Sequence, residues 1–150
     1  MRQDIEAQDP DQDVDLEGIV QEYNLNAEQR RAFMIIAGHS LQHQPEQLRM
    51  FLGGPGGTGK STVIRALTDF FSRRRQERRF RLASFTGVAA KNIAGSTLHS
   101  LLMLSQRPRR GRPTKTTADL ITMWQGVDYL FIDEVSMIGC KLLHDVCEAL

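Results

Sequence analysis

Gly54-Pro55-Gly56-Gly57-Thr58-Gly59-Lys60-Ser61 is the stretch that decides the fold. It fits the phosphate-loop spacing G-x-x-x-x-G-K-[ST] at every fixed position, and its flanks are of the kind the motif needs. Residues 48–52, Leu-Arg-Met-Phe-Leu, read as a short strand running into the glycines. Residues 61–71 place Val63, Ile64, Leu67, Phe70 and Phe71 on one side of a helix. Glycines let the backbone fold around an anion so that successive N–H groups point at it, while the next helix aims its positive end at the same charge. In that pattern Gly54, Pro55, Gly56, Gly57, Thr58 and Gly59 form the cradle. Lys60 reaches the β and γ phosphates of a nucleoside triphosphate, and the Ser61 hydroxyl ligates Mg²⁺. The competing reading, a glycine-rich turn with no ligand, leaves the flanking strand and helix unexplained.

A triphosphatase also needs a carboxylate at the end of a neighbouring strand. Tyr129-Leu130-Phe131-Ile132 is almost wholly apolar, as expected for a strand buried on both faces of a parallel sheet. Asp133 follows it directly, where ligands bind in open α/β sheets, and is the candidate for holding the metal. Glu134 beside it can orient or deprotonate an attacking water, which favours hydrolysis over transfer to a second substrate. Both residues as plain solvated strand-end charges is the alternative.

The remaining segments continue an alternation of strand and helix. Residues 27–43 have helical periodicity with Asn26 as N-cap, and Pro45 closes them. Residues 80–85 alternate like a strand, 87–94 and 98–104 look helical with a break at Gly95-Ser96, and 118–125 form another helix. The order predicts an α/β fold: a three-layer phosphate-loop domain of RecA type with a parallel sheet, incomplete at its C-terminal end.

Composition bounds the rest. At 150 residues the chain is one ordinary domain, and at 41% hydrophobic it is too apolar for a disordered chain. No apolar run approaches the roughly 20 residues of a membrane span, and residues 1–10 lack a signal-peptide pattern. Cys140 and Cys147 stand seven apart in a helical stretch, on one face yet too distant to bridge, so reduced thiols are expected. The net charge of +1 hides an asymmetry: residues 1–28 carry nine acidic side chains against Arg2, a net −8, so 29–150 carry +9. A body that basic suits a polyanion such as nucleic acid. Residues 1–24 are expected to be an acidic, disordered leader, and 25–150 the folded domain.

Four blocks together resemble the Pif-one family of 5′-to-3′ DNA helicases of superfamily one, Helitron-type helicases included. Leu25-Asn26-Ala27-Glu28-Gln29 looks like that family's adenine-recognising motif, which implies Gln29 as the adenine contact. Residues 54–61 match its phosphate loop, and Ile132-Asp133-Glu134-Val135-Ser136-Met137 is similar to its metal-binding motif. Residues 85–100, Phe-Thr-Gly-Val-Ala-Ala-Lys-Asn-Ile-Ala-Gly-Ser-Thr-Leu-His-Ser, resemble its single-strand DNA segment and are the most specific block. The resemblance implies Thr86, Gly87, Lys91, Asn92, Thr97 and His99 as DNA contacts, with Lys60, Asp133 and Glu134 catalytic and Ser61 and Asp133 on Mg²⁺. Small residues interleaved with hydroxyls do let a sugar-phosphate chain approach closely. Without the family, 87–94 would read equally well as a packed helix with His99 as a cap.

The implied protein is an ATP-dependent DNA helicase that hydrolyses ATP to move on single-stranded DNA. It would sit in the nucleus or mitochondrion and serve repair, recombination, telomere maintenance or transposition. The family's later motifs, including an arginine finger worth roughly 10³- to 10⁵-fold in turnover, have no counterpart before Leu150. The expectation is therefore an N-terminal lobe without its second lobe, which binds nucleotide better than it hydrolyses it and does not unwind duplex DNA. Two other readings stand beside it: a remnant that binds ATP or DNA without turnover, and an unrelated ATPase or nucleotide kinase that shares only the phosphate loop.

Weaker signals point elsewhere. Arg107-Pro108-Arg109-Arg110-Gly111-Arg112-Pro113 holds the Gly-Arg-Pro core of an AT-hook, against the plainer reading of a solvated loop. The arginine-rich residues 73–81 suit a solvated helix end, a phosphate contact or a nuclear address. His39 and His43 have metal-ligand spacing but no third ligand, and read as surface or capping groups. Met123 and Trp124 read as core.

Overall fold

A computed structural model describes residues 14–55, 59–92, 94–102 and 117–149. It has two compact units, one ending at Glu77 and one beginning at Arg78.

The first unit packs three helices, α1 (Leu16–Glu22), α2 (Ala27–Ser40) and α3 (Lys60–Arg73). The start of α2 is set by a reciprocal cap. Asn26 Oδ1 accepts the Gln29 N–H at 2.9 Å, and Gln29 Oε1 accepts the Asn26 N–H at 2.9 Å, so two donors with no partner inside the helix are satisfied. Asn26→Ala is expected to lower the unit's stability by about 1 kcal/mol, read as a shift of the urea midpoint. An unchanged midpoint would show that the cap carries no weight. Between α2 and α3 lies an aromatic core. The Phe33 and Phe70 rings meet edge-on at 6.1 Å, Phe70 and Phe71 at 5.1 Å, and the Arg74 guanidinium lies 5.5 Å over Phe70.

α1 corrects the expected leader. Ile19 and Val20 are buried, because the short helix has an apolar pair with a hydrophobic surface to cover. Arg30 pairs with Glu17, and Arg73 pairs with Glu22 at 2.6 Å and Asp69 at 2.7 Å. These bonds, Glu22 first, hold the Arg73 guanidinium more firmly protonated. Being largely exposed, such pairs are worth little, and burial of Ile19 is what seats the helix. Residues 1–13 lie outside the described residues. A second correction concerns 48–52, which form no strand. Phe51 stays 77% exposed. A strand exists only through a ladder partner, and among the described residues none pairs with this segment.

The second unit is built on a parallel sheet of order β2-β1-β3, with β1 at Phe80–Ser84, β2 at Ser96–Thr97 and β3 at Tyr129–Asp133. Around it come α4 (Gly87–Asn92), α5 (Leu98–Leu102), α6 (Thr117–Trp124) and α7 (Cys140–Ala149). This is the α/β class with a parallel sheet that the alternation predicts. Ala83 of β1 packs with Leu98, Leu101, Leu102 and Val146, joined by Met123, Trp124, Leu130, Ile132 and Ile138. The Trp124 indole donates to the Leu101 carbonyl at 3.0 Å. β3 is half-buried along its length instead of sealed on both faces. The two-residue β2 has no signature in the sequence, since so short a strand carries no alternation to read. Gly95 makes it possible: a Cβ there would stand 2.7 Å from the Leu82 carbonyl oxygen.

The basic run is not a solvated helix end. Arg74 is buried, Arg78 donates to the carbonyls of Gln125 and Thr122, Arg81 to that of Met123, and Arg79 pairs with Asp128. The last carbonyls of α6 lack helical partners and carry the negative end of its dipole, so guanidinium groups settle there. Cys140 and Cys147 lie exposed on α7 as free thiols. Among the described residues no helix is long and apolar enough to cross a membrane.

Candidate nucleotide and nucleic-acid site

The phosphate-loop half is carried by the first unit. Gly59 sits in the left-handed region at φ 78° as the residue before α3, and Gly54 has φ 152°. Both angles favour glycine. Lys60 opens α3 and folds its ammonium back over the loop, donating to the Gly54 carbonyl at 2.9 Å and the Pro55 carbonyl at 3.1 Å. Ser61 is exposed in the same first turn, where no acidic residue competes for the helix's positive end. Gly56, Gly57 and Thr58 lie outside the described residues.

Gln29 is tied to this loop as well as to its own helix. Its Nε2 donates to the Gly59 carbonyl at 3.3 Å, while its Oε1 closes the cap on Asn26. The proposed adenine contact thus lies against the phosphate loop, an arrangement no spacing between residues 29 and 59 reveals. A Cβ on Gly59 would fall 2.3 Å from Gln29 Nε2, a second reason for glycine there.

The second unit carries the carboxylates. Asp133 closes β3, half-buried, and its Oδ1 accepts the Glu134 N–H at 2.9 Å. Glu134 is exposed with φ 57° and leads into a 3₁₀ turn at Val135–Met137. A non-glycine residue held left-handed costs on the order of 1 kcal/mol, and such positions cluster at functional sites.

The DNA-contact candidates divide into three groups. Thr86 Oγ1 accepts the Ala89 N–H at 3.2 Å and caps α4, and Thr97 Oγ1 accepts the Ser100 N–H at 3.2 Å and caps α5. The His99 ring meets Phe85 edge-on at 5.8 Å. Gly87, Lys91 and Asn92 are exposed on α4 beside Val88. Of the weaker signals, His39 Nε2 bonds the Glu46 carbonyl at 2.7 Å, and residues 107–113 lie outside the described residues.

Ser61 in the first unit and Asp133 in the second each carry a hard oxygen of the kind Mg²⁺ takes, and among the described residues no group of three or more His, Cys, Asp or Glu is placed to hold a metal. Mg²⁺ typically takes one or two protein oxygens and completes its shell with water and phosphate.

A family model described as PIF1-like helicase matches residues 24–149. Similar curated proteins include "Uncharacterized protein 030L" of Invertebrate iridescent virus 6, 30% identical over 138 residues, which covers 84% of this chain and 23% of that protein. The ATP-dependent DNA helicase PIF1 of Trypanosoma brucei brucei is 32% identical over 125 residues, covering 81% of this chain and 11% of its own. The ATP-dependent DNA helicase PIF1 of Candida albicans is 32% identical over 103 residues, 66% of this chain and 11% of that protein. The chain thus spans less than a quarter of the length of these relatives. No solved structure matches it. With the phosphate loop, the strand-end carboxylates and the matched span taken together, this chain belongs to the PIF1-like helicase family.

Proposed function

We propose that the chain is the ATPase lobe of a 5′-to-3′ DNA helicase that couples ATP hydrolysis to movement along single-stranded DNA. The observation that carries this reading is Lys60, whose ammonium is held by two loop carbonyls with no anionic partner among the described residues. A phosphate arriving there replaces neutral acceptors by charged ones, and charge-assisted bonds are the stronger kind. Gln29 then selects adenine, the glycine-rich backbone wraps the phosphates, and Lys60 holds the β and γ oxygens. Glu134 orients the attacking water and takes its proton. Ser61 and Asp133 would hold Mg²⁺, which when bound neutralises charge on the transferring phosphoryl group. Gly87, Lys91 and Asn92 meet the DNA strand directly in this proposal, and His99 adds a ring for base contact. Thr86 and Thr97 shape that surface through their caps. A nuclear or mitochondrial setting belongs to the same reading.

The test is ATP turnover by the chain with and without single-stranded DNA, repeated for Glu134→Gln. DNA should stimulate turnover, and the glutamine variant should lose about 10²-fold or more while still binding nucleotide. Nucleotide binding with no turnover in either form would favour a binding module. Turnover indifferent to DNA would favour an ATPase unrelated to DNA.

A further inference from the structure

Ser84 ends β1 fully buried, at 0% exposure, and its hydroxyl has no hydrogen-bond partner among the described residues. Burying an unpaired hydroxyl costs about 1–3 kcal/mol, so a native fold that keeps one has a use for it or a partner still to come. The sheet register shows which partner is within reach. Ser84 stands opposite Asp133 on one side and opposite Thr97 on the other. Residues in register on parallel strands project from the same face, and adjacent strands lie about 4.8 Å apart. The three side chains therefore form a polar row across the C-terminal ends of the strands, the place where open α/β sheets bind ligands. The neighbouring row, Ala83 and Ile132, turns to the other face and into the apolar cluster.

Within the polar row the other commitments are settled. The Thr97 hydroxyl caps α5, and Asp133 Oδ1 takes the Glu134 N–H, which among the described residues leaves Asp133 Oδ2 and the Ser84 hydroxyl. The serine χ1 has three staggered wells, and turning between them re-aims the O–H toward the neighbouring strand. We propose that Ser84 is a positioning residue for Asp133: when nucleotide and Mg²⁺ engage the site, its hydroxyl donates to the carboxylate and fixes the orientation of the oxygen that faces the ion. The proposal rests on the reading of Asp133 as the metal carboxylate. It explains why a hydroxyl is kept where alanine would pack without an unpaired donor, and it resembles the hydrogen-bonded support that ligating carboxylates commonly have.

The experiment compares the chain, Ser84→Ala and Asp133→Asn. Each is measured for its unfolding midpoint without nucleotide, and for its affinity for a non-hydrolysable ATP analogue in Mg²⁺ and in EDTA. Ser84→Ala should unfold no earlier than the parent, bind the analogue equally in EDTA, and lose about tenfold of the gain that Mg²⁺ brings, the size of one hydrogen bond to a charged group. An alanine variant that is less stable but keeps the full Mg²⁺ gain would overturn the proposal, because the hydroxyl then serves only the fold. Should alanine prevent folding, Ser84→Cys retains the volume and a poor donor. Partial loss of the gain in that variant supports the role, and a parental gain overturns it. If Asp133→Asn keeps the Mg²⁺ gain, the assignment of Asp133 itself fails. If Asp133→Asn loses the gain and Ser84→Ala does not, Ser84 alone is misassigned.

Discussion

Lys60→Ala is expected to weaken nucleotide binding by about 10²- to 10⁴-fold, since two hydrogen bonds from an ammonium to phosphate oxygens contribute roughly 1.5–3 kcal/mol each. The fold should be indifferent. Among the described residues the ammonium bonds only the Gly54 and Pro55 carbonyls, and both residues are exposed. Carbonyls at the surface can turn to water when the ammonium is removed, so the unfolding midpoint should move little. Titration with a fluorescent ATP analogue reads the first quantity and urea unfolding the second. Parental affinity in the variant would remove Lys60 from the phosphate site, and loss of binding with an equal loss of stability would make its role structural.

The largest effect on stability is expected at Phe70. Its ring is fully buried, meets Phe33 and Phe71 edge-on, and is covered by the Arg74 guanidinium. Phe70→Ala removes all of these contacts and leaves a cavity among side chains that cannot follow it, at about 3–5 kcal/mol. A domain is commonly stable by only about 5–15 kcal/mol in total, so the first unit should be largely unfolded at 37 °C. Nucleotide binding should fall with it, because α3 presents Lys60 only when its apolar face is seated. Circular dichroism across a urea series measures the change. A loss below about 1 kcal/mol would mean that the aromatic core is not what holds α3.

These two positions show how unevenly the sequence discloses the protein. Lys60 is legible in one line, because the chemistry of a phosphate cradle needs glycines, a lysine and a hydroxyl at consecutive places. The helical face of Phe70 is equally legible from its period, and so is the Asn26 cap. Local rules suffice there because partner groups stand within a few residues of each other. The segment 48–52 misleads for the opposite reason: its pattern suits a strand, yet a strand requires a neighbour that local pattern cannot supply. Arg78 and Arg81 mislead in the same way. Their partners are carbonyls at the end of α6, more than forty residues on, and no charge count locates them.

Family membership, the phosphate loop, the Asp133-Glu134 pair and the alternation of strand and helix were all determined by the order of residues alone. Each rests on spacing along the chain, set by backbone geometry within one turn, strand or helix. The tertiary structure decided the rest. It turned Thr86 and Thr97 into helix caps, drew Ile19 and Val20 out of an acidic leader into a core, and laid Gln29 against Gly59. It also set Ser84 beside Asp133. The physical reason is common to these cases. Burial and strand register join residues distant in sequence, and whether a hydroxyl or an apolar pair is satisfied depends on what the fold brings against it.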